Sequence, residues 1–136
     1  MKATTSLDVI SAIQGEIVAK LTDNTAVYPH SHPSKNLPIK FYLVKSLRQR
    51  GDGGLKEGGF IEVCAYAANL NKVDDQTQPN ILLLNSMSNK LHSILDDAII
   101  GNIAILNIQE TIVNEPDLRY HYVSLVCEIL SVKQSK

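Results

Sequence analysis

Residues 39–67 read IKFYLVKSLRQRGDGGLKEGGFIEVCAYA. Two apolar-alternating runs, Ile39 to Leu47 and Phe60 to Ala67, flank a polar centre. In the first, Ile39, Phe41, Leu43 and Leu47 alternate with Lys40, Tyr42 and Val44, as in a half-buried β-strand. In the second, Ile61, Val63 and Ala65 form one face, and Phe60, Glu62, Cys64 and Tyr66 the other. Between them, Lys45 to Gly59 holds five glycines in fifteen residues together with Arg48, Arg50 and Lys56. Such a segment buries little apolar surface. It predicts a flexible, basic hairpin tip over 47–59 whose purpose is contact with another molecule.

The flanking sequence supplies the other elements. Leu7, Ile10, Ile13, Ile17 and Leu21 recur at steps of three and four and predict an amphipathic helix, with Thr5 and Asp8 placed as a capping box and Ser6 as an alternative cap. Ala26 to Pro38, with Pro29, Pro33 and Pro38, reads as irregular. Asn69 to Pro79 reads as a polar loop. Leu84, Met87, Leu91, Ile94, Leu95 and Ala98 mark a second helix, with Pro79 suited to its first turn and Gly101 to its C-terminal cap. Ile103 to Val113 and Arg119 to Val132 read as strands joined by the turn Asn114-Glu115-Pro116-Asp117. The expected fold is α+β, in the order α-β-β-α-β-β, with an antiparallel sheet and the helices packed on one face. The whole chain, 1–136, is expected to be one domain.

Composition narrows the function. The 136 residues carry a net charge of −1, so the molecule as a whole is no electrostatic binder of nucleic acid or anionic membrane. Yet residues 1–60 carry eight Lys/Arg and five Asp/Glu, giving +3, whereas 61–136 carry five and nine, giving −4. That asymmetry suits a partner of opposite sign, or identical subunits meeting front to back. The two cysteines, Cys64 and Cys127, sit in strand patterns and read as reduced, buried thiols, with a cross-strand disulfide left open. The start of the chain has no apolar signal core and no run approaches bilayer length, so the expected compartment is the cytoplasm, with no membrane partner.

No residue set declares a reaction. The glycine-rich run lacks Gly-Lys-Ser/Thr and is followed by a strand rather than a helix, and after Gly51 and Gly53 the third dinucleotide-motif position is Lys56, so it is no phosphate cradle. His30 and His32, at i and i+2, could ligate a metal from an extended segment but need a third ligand. The alternative reading is therefore a small ligand- or metal-binding module, or an enzyme, that uses His30 and His32. The acidic pairs Asp74-Asp75 and Asp96-Asp97 are adjacent only in sequence. Lys40, Lys45, Arg48, Arg50 and Lys56, with Phe41 and Tyr42 nearby, are compatible with a passing, sequence-independent contact with DNA.

The order of these segments resembles the tail-completion or tail-terminator (head–tail joining) proteins of long-tailed bacteriophages and prophages. The resemblance runs from about Leu7 to Val132. It is carried by the opening helix, Val27-Tyr28-Pro29, Leu37-Pro38-Ile39 leading into a strand, the strand Ile61 to Ala67, the helix Leu84 to Leu95, and Arg119-Tyr120-His121-Tyr122 opening the last strand. It implies a structural protein with no catalytic site and no cofactor. Such proteins assemble as ring homo-oligomers, commonly hexamers, on the tail tube and offer a surface to the head and neck proteins. They do so in the cytoplasm of the bacterial host and are retained in the virion. On that reading Arg48, Arg50 and Lys56 are the charged contacts of an interface arm.

Overall fold

The computed structural model describes residues 6–47 and 59–131. It contains α1 (Ser6–Lys20), β1 (Val27–Pro29), β2 (Lys40–Ser46), β3 (Gly59–Ala68), α2 (Ile81–Leu95), β4 (Ile99–Ile100), β5 (Ile103–Glu115) and β6 (Tyr120–Ser131). The strands form one sheet in the order β1-β2-β3-β6-β5-β4. The mixed α and β content is as expected, but the order α-β-β-α-β-β is corrected by two additional strands, and the all-antiparallel sheet by one parallel pair, β1 with β2.

The additions have local causes. β1 ends at Pro29 because the next residue, His30, takes the left-handed conformation at φ 72°, so the proline-rich stretch after Ala26 yields only three paired residues. Those residues pair with Tyr42, Leu43 and Val44, a match between distant segments. Before β4, the second helix stops at Leu95 and Asp97 takes the left-handed conformation, at φ 56°. Gly101 is left-handed as well, at φ 60°, but it turns β4 into β5 instead of capping the helix. At the other end of α2 the cap is Asn80, whose Oδ1 accepts from Leu83 N at 3.2 Å, so Pro79 precedes the cap rather than opening the helix.

Both helices pack on one face of the sheet. Val9, Ile10, Ile13 and Ile17 of α1 and Leu84, Met87, Leu91, Ile94 and Leu95 of α2 meet Tyr42, Val44, Ile61, Val63, Ala65, Val123, Leu125 and Cys127 in one core. Val9 replaces the expected Leu7, which is 68% exposed: Val9, Ile13 and Ile17 stack at steps of four. The expected cap at Thr5 lies outside the described residues.

The central strands are covered on their second face too. Phe41, Leu43, Cys64, Tyr66, Tyr120 and Tyr122 form a smaller core there. Phe41 stacks on Tyr66 (centroids 4.6 Å apart) and Tyr66 on Tyr122 (4.4 Å). The 30–38 stretch covers this stack: the Tyr120 hydroxyl donates to Pro38 O at 2.5 Å, and the His32 ring lies 5.6 Å from Phe41 and 5.7 Å from Tyr66. Phe41 to Val44 are therefore all buried, where simple alternation would leave every second residue exposed.

Candidate functional site

Main-chain bonds alternate in direction along a strand, so a few known bonds orient the whole sheet. Tyr42 donates to Ala26 O (2.9 Å), toward β1, and Leu47 to Phe60 O (3.4 Å), toward β3. Phe41, Leu43 and Lys45 therefore face β3, opposite Tyr66, Cys64 and Glu62. On β3, Ile61, Val63 and Ala65 then face β6, opposite Cys127, Leu125 and Val123. On β6, Tyr122, Ser124 and Val126 face β5, opposite Val113, Thr111 and Gln109. What remains on β5 faces outward: the main-chain groups of Ile108, Glu110, Ile112 and Asn114.

Nothing among the described residues pairs with that outer edge. β4 reaches only Ile103 and Ala104, and Ala98 O takes the N–H of Ile105 at 2.9 Å. A bulge at Leu106 shifts the register, and β5 then runs on to Glu115. Its sequence, IAILNIQETIVNE, has no proline, glycine, lysine or arginine. Proline and lysine, which commonly blunt an exposed strand edge, are absent, and the protection that remains is the charge of Glu110 and the bulge at the start of the edge. The side chains along it are accessible: Leu106 is 47% and Ile112 50% exposed.

At the opposite edge the same alternation turns Tyr28 toward β2 and leaves Val27 and Pro29 facing outward. Pro29 has no N–H to offer. The outward carbonyl of Val27 accepts from Gln14 Nε2 at 2.8 Å. This edge is closed by its own sequence.

Above β5, on the helix side, His92 of α2 sits between two carboxylates. Its Nδ1 lies 2.9 Å from Asp96 Oδ1 and its Nε2 2.9 Å from Glu110 Oε1. The Asp96 hydrogen bond raises the His92 pKa against the opposing effect of burial, and the Glu110 hydrogen bond adds to the rise. Ser88 Oγ donates to Glu110 Oε1 at 2.5 Å, and this bond and His92 hold Glu110 below the usual carboxylate range. A serine, a histidine and acids are close here, but the serine binds the carboxylate and both ring nitrogens are engaged. With no free imidazole nitrogen to take a serine proton, the group acts as a tie from α2 to β5.

The residues singled out in the sequence fall apart. Arg48, Arg50 and Lys56 lie outside the described residues; what the sheet fixes is that the segment holding them leaves β2 and returns into β3, an antiparallel pair. His32 is packed on the aromatic core, with Nδ1 2.7 Å from Pro33 O, whereas His30 is exposed at φ 72°. Among the described residues no three His, Cys, Asp or Glu are grouped so as to hold a metal. Asp75 takes the Thr77 N–H and hydroxyl in a local turn. Cys64 and Cys127 are buried, free and on opposite sheet faces, which closes the disulfide possibility left open by the sequence. Burial pushes both thiols up, Cys127 to about 12.

A hollow of about 470 Å³ lies between the 69–77 loop and the β5–β6 turn, lined in part by Asp74, Asp75 and Arg119. Its one arginine is already bonded to Gln76. The feature that sequence reasoning missed is the open edge of β5. The strand itself was legible, and its lack of Pro and Lys was a usable signal, but strand order was needed to make it an edge. No described helix is long and apolar enough to cross a membrane. In comparisons with known proteins, no family model and no curated protein matches the chain.

Proposed function

We propose that this chain is a structural assembly protein, a phage or prophage tail terminator or head–tail joining protein. Copies close into a ring that ends the tail tube and presents the surface on which the head docks. The observation that carries the reading is the sheet with one edge closed and the other open over 107–115. A one-sided edge of this kind suits front-to-back association, in which one surface of a subunit meets a different surface of the next, and such contacts close into a ring when the rotation permits. The opposite net charges of the two sequence halves support the same polarity. The order of segments that resembles tail terminators supplies the biological setting: assembly in the cytoplasm of a bacterial host, with tail-tube and neck proteins as further partners. On this reading the protein is not an enzyme and needs no cofactor.

Size-exclusion chromatography with light scattering, over a range of protein and salt concentrations, tests the reading. A closed oligomer of fixed stoichiometry, weakened by salt, is expected. A monomer under every condition contradicts it. The alternative, a binding module at His30 and His32, predicts stoichiometric metal by elemental analysis that is lost when both histidines are replaced.

A further inference from the structure

We propose, resting on the assembly reading above, that the open edge of β5 in one copy receives the 48–58 segment of a second copy as an added strand. The acceptor is defined by four outward main-chain positions, Ile108, Glu110, Ile112 and Asn114. They offer alternating N–H and C=O groups to a strand laid alongside.

Three other occupants fit less well. The chain's own 48–58 segment is too short. Gly59 lies opposite Ile129, and Ile103 opposite Ser131, so the segment leaves the sheet at the Ile103 end of β5. Thr111, at the middle of the open edge, is about 27 Å along β5 from Ile103, and a strand added beyond that edge lies three spacings, about 14 Å, across the sheet from β3. The direct separation is about 30 Å. A connection that must leave Leu47 and return to Gly59 reaches about 20 Å at its tip. A second copy's β1 is excluded because Pro29 and the Gln14 bond close its edge. A second copy's β5 would set Glu110 and Glu115 beside the same acids, with no cation on either strand.

The 48–58 segment has the complementary character. It carries Arg48, Arg50 and Lys56 against Asp52 and Glu57. Arg48 and Arg50, two residues apart, stand on one face of an extended strand. Each limb of the connection supplies about five or six residues, a common strand length. Leu55 adds an apolar side chain that Ile112 or Leu106 can partly cover.

The test uses the full chain, with light scattering across a concentration series and oxidative cross-linking. Ile112→Pro deletes one outward N–H and leaves the β5–β6 ladder its bonds. The double variant Arg48→Glu/Arg50→Glu alters only the donor segment and guards against a folding defect in the proline variant. Both should raise the concentration for half-assembly at least tenfold. Arg50→Cys and Ile112→Cys chains, mixed and oxidised, should give a disulfide-linked heterodimer that reductant reverses. Assembly of the wild type with unchanged midpoints in both variants and no heterodimer overturns the strand exchange while leaving the ring reading intact. A wild type that never assembles overturns both.

Discussion

The two edges of this sheet end in opposite ways: β1 is a three-residue strand in a parallel pair, β5 a thirteen-residue strand in an antiparallel one. At β1 three outward groups are closed: Pro29 lacks a donor, Gln14 takes the Val27 carbonyl and the Ser31 N–H takes the Pro29 carbonyl. The strands beside it are also buried on both faces, by the helices and by the aromatic stack under residues 30–38. At β5 the edge beyond Leu106 is unpaired among the described residues, and its side chains reach solvent. A strand edge is a template for any extended chain, and this one is guarded only by the bulge at Leu106 and the charge of Glu110. Under the assembly proposal, the β5 edge is the part of the molecule that meets a neighbour.

The contrast can be broken at several strengths. The largest effect belongs to the closed half. Phe41→Ala removes a fully buried ring in contact with Tyr28, His32, Tyr66 and Tyr120 and should cost about 3–5 kcal/mol in denaturant unfolding. Ile112→Ala, on the open edge, should stay within about 1 kcal/mol. Equal losses would mean that the two halves are not differently built. A smaller effect is expected at Gln14→Ala, which frees the Val27 carbonyl: a loss of about 1 kcal/mol, with the assembly midpoint unchanged. If that variant instead changes assembly, the β1 edge is an interface as well.

The smallest effect is electrostatic and concerns the tie behind β5. The pKa of His92 is raised in the fold, so its contribution to stability is fully present below about 6.5 and is lost as pH rises through the higher folded value. The lowered pKa of Glu110 works in the other direction: its contribution is present above about 4.5 and is lost as pH falls through its folded value. His92→Gln should flatten the dependence of Tm on pH above 6.5. An unchanged slope there would show that the tie does not stabilise the charged histidine.

Much of the fold was legible because it is local. The periodicity of α1 and α2 marks their buried stripes, and the β5–β6 turn announces itself through Asn114 to Asp117, with Leu118 N donating to Glu115 O at 3.2 Å. What stayed hidden depends on distant partners. β1 is three residues long and exists because β2 lies beside it. β4 is two residues long and follows directly on the end of α2. Gly101 was read for the conformation it does adopt, but Asp97 had already turned the chain out of the helix. The second core escaped because alternation assigns one buried face per strand, and Phe41, Tyr66 and Tyr122 need the proline-rich stretch folded over them. For the candidate site, the glycine-rich basic segment could be read directly, whereas the edge proposed to receive it emerged only from strand order.

Amide hydrogen exchange, resolved by residue and compared between dilute monomer and assembled protein, tests the central claim most directly. In the monomer the N–H groups of Ile108, Glu110, Ile112 and Asn114 should exchange rapidly, while Gln109, Thr111 and Val113, bonded to β6, are protected. On assembly the four outward amides should slow at least tenfold. Assembly that leaves those four as fast as in the monomer would contradict the account.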